Sequence, residues 1–327
     1  MPMLLSVVIP CREHDVTLSR CLRSLACTGH DGDIEVVVVV DGDDKSHAET
    51  TLRDSLPVKI QSSVMTTGGR QGAAAARNRG IEAAKGRFLW FVDSDDEVDA
   101  QVLALLWNDL ATLPDNAALL HLGPMREGRD DKYKPWQRLP ERKAVGAVML
   151  PRSHCLDHTT YWISRAFLEE NATLRYQQDM AILEDSLFVL SLLAHCDSVV
   201  CAYNCRPYIH NVAPRSLTSG VWRRDRAALF MPSVETFFAS FGKMINDKAF
   251  HCENQGHDDN IKALYHRYRY VYMRVLAVKG VKWSLYEPFF YRHLVDEGFQ
   301  PRNLKERLVF NVLFHRTLSL LCRVFRH

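Results

Sequence analysis

IEVVVVVDG, residues 34–42, is the stretch that decides the fold of this 327-residue chain. Its five consecutive valines leave no polar alternation, a pattern typical of a parallel strand that is buried on both faces. LLSVVIP (residues 4–10) and RFLWFV (residues 87–92) have the same character, and a further strand is predicted near VKIQSSV (residues 58–64). The first hundred residues therefore predict several strands of one buried sheet.

Helical patterns separate these strands. TLSRCLRSL (residues 17–25) places its apolar residues on one helical face and offers Thr17 as the N-cap. QGAAAARNRGIEAAKG (residues 71–86) is rich in alanine and predicts a helix that Gly86 closes as the C′ residue. The alternation predicts an α/β fold, a mostly parallel central sheet flanked by helices on both faces. The pattern from residue 222 onward predicts a helical C-terminal region.

Composition argues against several classes of protein. The net charge is only +2 and the first half has no arginine-rich arm, so we expect no binding of nucleic acid. The nine cysteines are scattered without a CxxC pair, which indicates reduced thiols and a cytoplasmic protein. The opening MPMLLSVVIPC lacks the basic segment of a signal peptide, and no run approaches the ~20 apolar residues that cross a bilayer.

Polar residues cluster where the predicted strands end. Ligands of such sheets bind beyond the carboxyl ends of the strands, and residues 10–13, 41–44 and 93–96 all fall there. Asp93 and Asp95 flank Ser94 directly after a buried strand, where their carboxylates repel one another unless a cation neutralises them. Mg²⁺ or Mn²⁺ that arrives with a diphosphate needs only one or two carboxylates from the protein. A solvated acidic turn is the alternative interpretation.

Other polar positions have both a functional and a structural interpretation. Asp41 either accepts a hydrogen bond from a ligand at the end of its strand or caps the next helix. Arg77 and Asn78 lie near the start of a helix, which suits phosphate binding but also a charged surface turn. Glu184 and Asp185 begin another predicted helix, where the macrodipole favours acids; the functional alternative is a general base that takes a proton from an attacking hydroxyl.

Four segments follow in order the pattern of a known family: SVVIPCRE, VVVVVDGDD, GGRQGAAAARNRGIEAAKGRFLWFVDSDD and LEDSLF. The chain resembles the family 2 glycosyltransferases of GT-A fold, closely over residues 4–100 and more loosely over residues 160–220. The resemblance implies an inverting enzyme that uses a nucleotide sugar. It also implies a catalytic domain over residues 1–220, in which residues 1–100 bind the nucleotide sugar and residues 101–220 the acceptor.

The resemblance implies roles for individual acids. Asp41 is similar to the family's aspartate that contacts the uracil ring. Asp93 and Asp95 look like the DXD pair that binds Mn²⁺ or Mg²⁺ and the diphosphate. Asp185 looks like the catalytic base, with Glu184 beside it to hold the acceptor or to orient the loop.

Two more segments of the donor site follow from the resemblance. YIHNVAPRSLTSG (residues 208–220) is similar to the stretch that closes over the diphosphate, with His210 and Arg215 as candidates. After Pro10 this chain has Arg12 and Glu13 where the family usually has an aromatic residue and asparagine. The guanidinium of Arg12 is therefore expected to replace base stacking in the donor pocket.

The resemblance extends to bacterial lipopolysaccharide-core and capsule glycosyltransferases. It implies transfer of a hexose, glucose first, from a UDP-sugar to a glycan or glycolipid, with a β-glycosidic product. The alternatives are galactosyl or N-acetylhexosaminyl transfer in capsule or exopolysaccharide synthesis, and a non-catalytic nucleotide-sugar-binding or scaffold protein of the same fold.

The end of the chain bears on location. Residues 302–327 combine six Lys or Arg residues with a single acid and with apolar residues at helical spacing. This pattern is typical of a helix on an anionic membrane surface, although helices packed on the catalytic domain are an alternative. The sequence thus predicts a helical region over residues 221–327 that contacts the cytoplasmic face of the inner membrane peripherally.

Overall fold

The computed structural model describes residues 3–26, 32–110, 113, 117–122, 134–138, 156–196, 199–203, 207–211, 227–247, 249–250, 261–262, 265–266 and 268. The strands of this part are β1 (Leu5–Arg12), β2 (Ile34–Asp41), β3 (Gln61–Thr66), β4 (Phe88–Phe91), β5 (Glu97–Val98), β6 (Leu119–Leu122), β7 (Lys134–Arg138), β8 (Tyr161–Ser164), β9 (Val199–Tyr203) and β10 (Tyr208–Ile209). The helices are α1 (Leu18–Ala26), α2 (Ser46–Ser55), α3 (Ala73–Ala83), α4 (Ala100–Leu110), α5 (Arg165–Glu170), α6 (Glu184–His195) and α7 (Ala227–Asn246), and a 3-10 turn covers His158–Thr160.

Eight strands form one sheet in the order β3-β2-β1-β4-β8-β6-β9-β7. Among these described strands, four of the seven neighbouring pairs are parallel: β1 with β2, β1 with β4, β2 with β3, and β6 with β9. The carboxyl ends of β1, β2 and β4 therefore meet at one edge, which we call the rim. The antiparallel strand β8 begins at the rim, so the 3-10 turn that precedes it lies there too. The predicted α/β fold with a mostly parallel sheet is confirmed.

The strands alternate between two hydrophobic cores. Val8, Val37 and Val39 face a core that includes α3, α6 and α7. Val36 and Val38, by contrast, face a core that includes α1 and α4. Every one of these valines is at most 1% exposed, so the continuous apolar runs arise from burial on both faces of the sheet, as predicted.

Three local predictions differ from the structure. Strand β3 covers Gln61–Thr66, three residues later than predicted. Helix α3 ends at Ala83, and Gly86 is not its C′ residue. Gly86 instead packs on Ser6, and its N–H donates to the buried carboxylate of Glu35. Thr17 precedes α1 and its carbonyl accepts from the N–H groups of Arg20 and Cys21, but its hydroxyl donates to Asp15 and accepts no hydrogen bond from α1 among the described residues.

The C-terminal region is described in part. Helix α7 adds Phe237, Phe238 and Phe241 to the core that also contains Phe188 of α6. Residues 302–327, for which a membrane-surface helix is predicted, lie outside the described residues, and a domain boundary near residue 220 stays a prediction. In the part of the chain that is described, none of the helices has both the length and the apolar character to span a membrane.

Candidate active site

The rim brings together the ends of β1 and β2. Arg12 is the last residue of β1, is exposed, and pairs in register with Asp41, the last residue of β2. Pro10 lies two residues earlier in the strand, buried opposite Val39. Both residues therefore lie toward the rim, and their contact with a donor stays a prediction.

Asp41 holds the loop that leads into α3. Its Oδ1 accepts hydrogen bonds from the N–H groups of Gln71 (2.7 Å) and Gly72 (2.9 Å). Gly72 has φ of 92° and immediately precedes the helix, a conformation that favours glycine. Asp41 does not cap the next helix, α2, where Asp44 instead accepts from the N–H of Ser46 (2.9 Å). That Asp41 also contacts a ligand, through its other carboxylate oxygen, stays a prediction.

Glu13 braces the neighbouring loop. Its Oε1 accepts from the N–H groups of Asp43 (2.8 Å) and Asp44 (3.0 Å), and these hydrogen bonds lower the pKa of Glu13. The Glu13 side chain fills the space where Gly42 lacks a Cβ. The structure thus gives the Glu13 carboxylate a partner within the protein, at the edge of the predicted donor pocket.

Arg77 joins the end of β4 to the start of α6. Its guanidinium donates 2.9 Å hydrogen bonds to Asp93 through Nη2 and to Glu184 through Nη1, and it lies 5.4 Å from the ring centroid of Tyr176. The side chain is only 7% exposed. Burial by itself opposes ionisation of Asp93, but the charge and the hydrogen bond of Arg77, together with His158 and His210 nearby, outweigh burial and lower the Asp93 pKa. Arg77 is thus engaged with two acids of the site.

Asn78 fixes the segment before α6. Its side-chain amide donates to the carbonyl of Tyr176 and accepts from the N–H of Tyr176, each at 2.8 Å. It is buried, in the second turn of α3. Arg77 and Asn78, the two candidates predicted near the start of this helix, therefore both bind groups of the protein and position the residues around them.

The three acids after β4 have different surroundings. Asp96 is 1% exposed; it accepts from the hydroxyl of Tyr208 and from the N–H of Asn211 (2.6 Å), and it lies 3.1 Å from Nδ1 of His210. Asp99, the residue before α4, caps that helix by accepting hydrogen bonds from the N–H groups of Gln101 and Val102. His210 is exposed at the rim beside Asp96, whereas Arg215 lies outside the described residues.

Asp95 is the acid without a counter-charge. It forms no ion pair within the described residues, and burial, followed by the charges of Asp96 and Asp93, raises its pKa. The Oδ2 atom of Asp93 also remains open there, since Arg77 contacts Oδ1. Between them, Ser94 is fixed by a 2.6 Å hydrogen bond to Asp15.

These two carboxylates fit a divalent cation. The described acids form no closed cluster of three or more ligands, but Mg²⁺ and Mn²⁺ take hard oxygen ligands and complete their coordination with water and substrate phosphate. An open pair of carboxylates, one of them repelled by its neighbours, matches that requirement. Asp93 and Asp95 are therefore the residues that would hold the metal.

Asp185 is the second acid whose pKa is raised. Burial, followed by the adjacent charge of Glu184, raises its pKa to about 7, against the partial opposition of Arg77. Leu183, which precedes Glu184, has φ of 65°, a left-handed conformation that is strained in a branched residue. The bridge of Arg77 to Asp93 and Glu184 places the first residues of α6 near the rim, where an acid whose pKa is raised to about 7 can serve as a base.

Sequence reasoning missed three residues of this site. Asp15, His158 and Tyr176 contact the predicted acids or the residues that hold them. Only Asp15 has a signal nearby, because it lies five residues after Pro10, the predicted end of β1. His158 and Tyr176 belong to segments that approach the site only in the folded chain.

Together, the parallel half-sheet, the paired acids at its rim and the acids at the start of α6 define a glycosyltransferase of GT-A fold. The family model described as "Glycosyl transferase family 2" matches residues 6–171, just over half of the 327 residues. The chain belongs to this family, which favours a transferase over a non-catalytic protein of the same fold.

Curated relatives agree with the family. The uncharacterized glycosyltransferase EpsJ of Bacillus subtilis is 27% identical over 225 residues, which are 66% of this chain and 63% of EpsJ. The poly(ribitol-phosphate) beta-glucosyltransferase of Bacillus spizizenii is 34% identical over 110 residues, 32% of this chain and 17% of that protein. The matched region thus spans less than two thirds of the length of either relative.

Solved structures share the fold. S. aureus TarS 1–349 in complex with UDP has a TM-score of 0.63 at 20% identity, covering 90% of this chain and 80% of that chain. The mannosyltransferase PcManGT of Pyrobaculum calidifontis, in complex with GDP-Man and Mn²⁺, has a TM-score of 0.56 at 13% identity, covering 100% of this chain and 90% of that chain. At these identities the likeness establishes the fold alone.

Proposed function

We propose that this chain is a metal-dependent inverting glycosyltransferase that moves a hexose, with glucose favoured, from a UDP-sugar to a hydroxyl of a surface glycan. The observation that carries the proposal is the bridge of Arg77 between Asp93 and Glu184. This bridge couples the open carboxylates at the end of β4 to Asp185, which directly follows Glu184. A site for a diphosphate and a site for a base therefore belong to one connected set of charges.

The donor binds with its base above Arg12 and Asp41 and its diphosphate near Asp93 and Asp95. Asp93 and Asp95 would hold Mg²⁺ or Mn²⁺, which would neutralise the charge that develops on the departing diphosphate. His210 and, from the undescribed segment, Arg215 are proposed to approach the same phosphates. UDP in the complex of TarS, and the beta-glucosyl transfer named for the Bacillus spizizenii relative, support a uridine donor and a glucosyl product.

The reaction is a single displacement. The acceptor oxygen forms a bond to the anomeric carbon as the bond from that carbon to the diphosphate oxygen breaks, and Asp185 takes the proton of the acceptor hydroxyl. The electron pair of the broken bond leaves with UDP. Attack on the face opposite the leaving group converts an α-linked donor to a β-glycoside. Glu184, held by Arg77, orients the start of α6 so that the carboxylate of Asp185 faces the acceptor.

A panel of donors tests the proposal. The protein is incubated with Mn²⁺ and UDP-glucose, UDP-galactose, UDP-N-acetylglucosamine or GDP-mannose, with and without a lipopolysaccharide-core acceptor, and released nucleotide and product linkage are measured. We expect acceptor-dependent UDP release, highest with UDP-glucose, and a β linkage. Release only from GDP-mannose would contradict the uridine donor, and an α linkage would contradict inversion. Galactosyl or N-acetylhexosaminyl product would correct the sugar while keeping the mechanism.

The acceptor and the location are proposed together. A lipopolysaccharide-core or other lipid-linked glycan suits an enzyme held at the cytoplasmic face of an anionic membrane by the basic residues of 302–327. Deleting residues 302–327 is expected to release the protein from membrane fractions and from vesicles that contain anionic lipid. An unchanged membrane fraction would show that these residues are not the anchor.

A further inference from the structure

A buried histidine lies beside Asp185. His158, in the 3-10 turn before β8, is 2% exposed, and its Nδ1 is 3.8 Å from Oδ2 of Asp185. Within the described part of the chain, neither ring nitrogen has a hydrogen-bond partner. A neutral imidazole carries one N–H donor and one acceptor, and burying both without partners is unfavourable. An acceptor must therefore come within reach of this ring.

The ring is fixed in its orientation by its neighbours. Phe91 of β4 and Tyr176 each meet the imidazole edge-on, with centroid distances of 5.9 Å. The 3-10 turn itself is held by a 2.8 Å hydrogen bond from the indole of Trp90 to the carbonyl of Thr159. Because the ring and its turn are both packed against the sheet, the partner that this arrangement presents to Nδ1 is Oδ2 of Asp185.

The surroundings of the ring favour its neutral form. Burial, followed by the charge of Arg77, lowers the pKa of His158, although neighbouring acids oppose this. The charged groups that face it come from four elements: Arg77 of α3, Asp93 after β4, Glu184 and Asp185 of α6, and Asp157 of its own turn. A neutral imidazole forms no ion pair, so it interacts with an acid among these groups by donating a hydrogen bond from its one N–H.

We propose that His158 is a positioning residue: its Nδ1–H donates a hydrogen bond to Oδ2 of Asp185 and holds that carboxylate in the orientation from which it accepts the proton. The proposal rests on the proposed function of Asp185 as the base. An approach of about 1 Å brings the two atoms from 3.8 Å to a normal hydrogen-bond distance. Nε2 then remains as the acceptor nitrogen of the ring.

The tautomer of His158 gives a test that does not depend on turnover. Nitrogen NMR of protein labelled in histidine, with the signal assigned by its loss in His158→Asn, distinguishes Nδ1–H from Nε2–H. We expect the Nδ1–H tautomer. The Nε2–H tautomer would overturn the proposal even if Asp185 proves to be the base. Conversely, the tautomer could be Nδ1–H while the Asp185→Asn variant stays active. In that case the contact between His158 and Asp185 would stand, but Asp185 would not be the base.

The pH profile separates positioning from packing. His158→Leu removes the hydrogen-bond donor to the ionised carboxylate of Asp185. The acid limb of the pH profile of kcat/KM is therefore expected to move upward by about one pH unit. Activity at pH 7 then falls about fivefold, while KM for the donor is unchanged. His158→Asn carries an amide nitrogen at about the position of Nδ1 and is expected to restore the limb.

A packing control uses the same aromatic cluster. Phe188 of α6 stacks on Tyr176 with a centroid distance of 4.0 Å, and Phe188→Leu loosens this cluster without removing a polar group. It is expected to lower the melting temperature and to leave the acid limb in place. If His158→Leu leaves the limb unmoved, or if Phe188→Leu moves it equally, His158 is a packing residue only. If His158→Leu does not fold, the Asn variant and the tautomer decide.

Discussion

Replacing Arg77 with methionine removes the cation that joins the two acidic parts of the site. Its guanidinium makes two 2.9 Å contacts, and its side chain is 7% exposed, against 34% for Asp93 and 15% for Glu184. Removing one member of a buried charge network leaves the others uncompensated and typically costs about 3–5 kcal/mol of unfolding free energy. We expect a value near the lower end, about 3 kcal/mol, because water reaches Asp93 and screens its charge.

Two variants provide the comparison. Arg77→Lys keeps a positive charge but cannot contact both carboxylates with a planar fork, so its stability should fall between those of the wild type and Arg77→Met. Arg79→Met is the matched control, because Arg79 lies on the same helix and, among the described residues, forms a single exposed ion pair, with Glu82 at 3.3 Å. Its expected effect is within about 0.5 kcal/mol.

Denaturant unfolding measures all of these values, and a double-mutant cycle with Glu184→Gln isolates one contact. The cycle should return a coupling free energy of about 1–3 kcal/mol between Arg77 and Glu184. If Arg77→Met were no more destabilising than Arg79→Met, or if the coupling were zero, the bridge would not hold the site together and the proposal built on it would lose its support.

The same variant has a pH signature. Arg77 lowers the folded pKa of Asp93, so this interaction stabilises the protein fully above the unfolded pKa of about 3.9 and is lost as pH falls through the lower folded value. Arg77→Met should therefore weaken the decline in stability between pH 4 and more acidic conditions. If the stability of the variant declines as steeply as that of the wild type, other carboxylates cause the decline.

Three further outcomes are expected. Asp185→Asn should abolish transfer while UDP binding, measured by calorimetry, persists. Asp179→Asn changes an exposed acid before α6 and serves as the control. In the wild type, kcat/KM should rise with pH until about 7, where Asp185 becomes ionised. Asp95→Asn should raise the melting temperature of the metal-free protein, because burial and then the charges of Asp96 and Asp93 raise the pKa of Asp95. The same variant should weaken Mn²⁺ binding in the presence of UDP, and parallel losses of stability and Mn²⁺ binding would contradict the assignment. Gly42→Ala should cost about 1–3 kcal/mol of unfolding free energy, since a Cβ overlaps the Glu13 side chain, and Glu13→Ala in the same chain should recover part of it.

The half of the fold that carries the site could be predicted because its signals are local. Burial on both faces appears directly in the sequence as the unbroken valines of β2, and the order of strands and helices restricts the sheet to few topologies. The carboxyl ends of such strands necessarily meet at one edge, so the sequence alone predicts that Asp41 and Asp93 share that edge. Family 2 membership, anticipated from four segments, is confirmed by the match over residues 6–171.

Several of the errors and omissions share one physical cause, a contact between residues far apart in sequence. Gly86 resembles a helix terminator, but the carboxylate of Glu35, 51 residues earlier, takes its N–H. The contact of Arg77 with Glu184 spans 107 residues, so the local pattern around Arg77 gives no sign of it. No periodicity records such pairs, because a side chain's partner across the fold leaves no trace in its neighbours along the chain.

The distribution of charge partners explains why these acids can lie at one rim. Arg77 compensates Asp93 and Glu184, and the hydroxyl of Tyr208 with the N–H of Asn211 satisfies Asp96. The remaining two acids, Asp95 and Asp185, are those whose pKa values burial and like charge raise. An acid in that condition gains most from a cation or a proton, and these are the two species that the proposed transfer requires. The partners within the protein thus leave Asp95 and Asp185 as the least compensated acids, while Asp93 keeps Oδ2 open beside the hydrogen bond from Arg77 to its Oδ1.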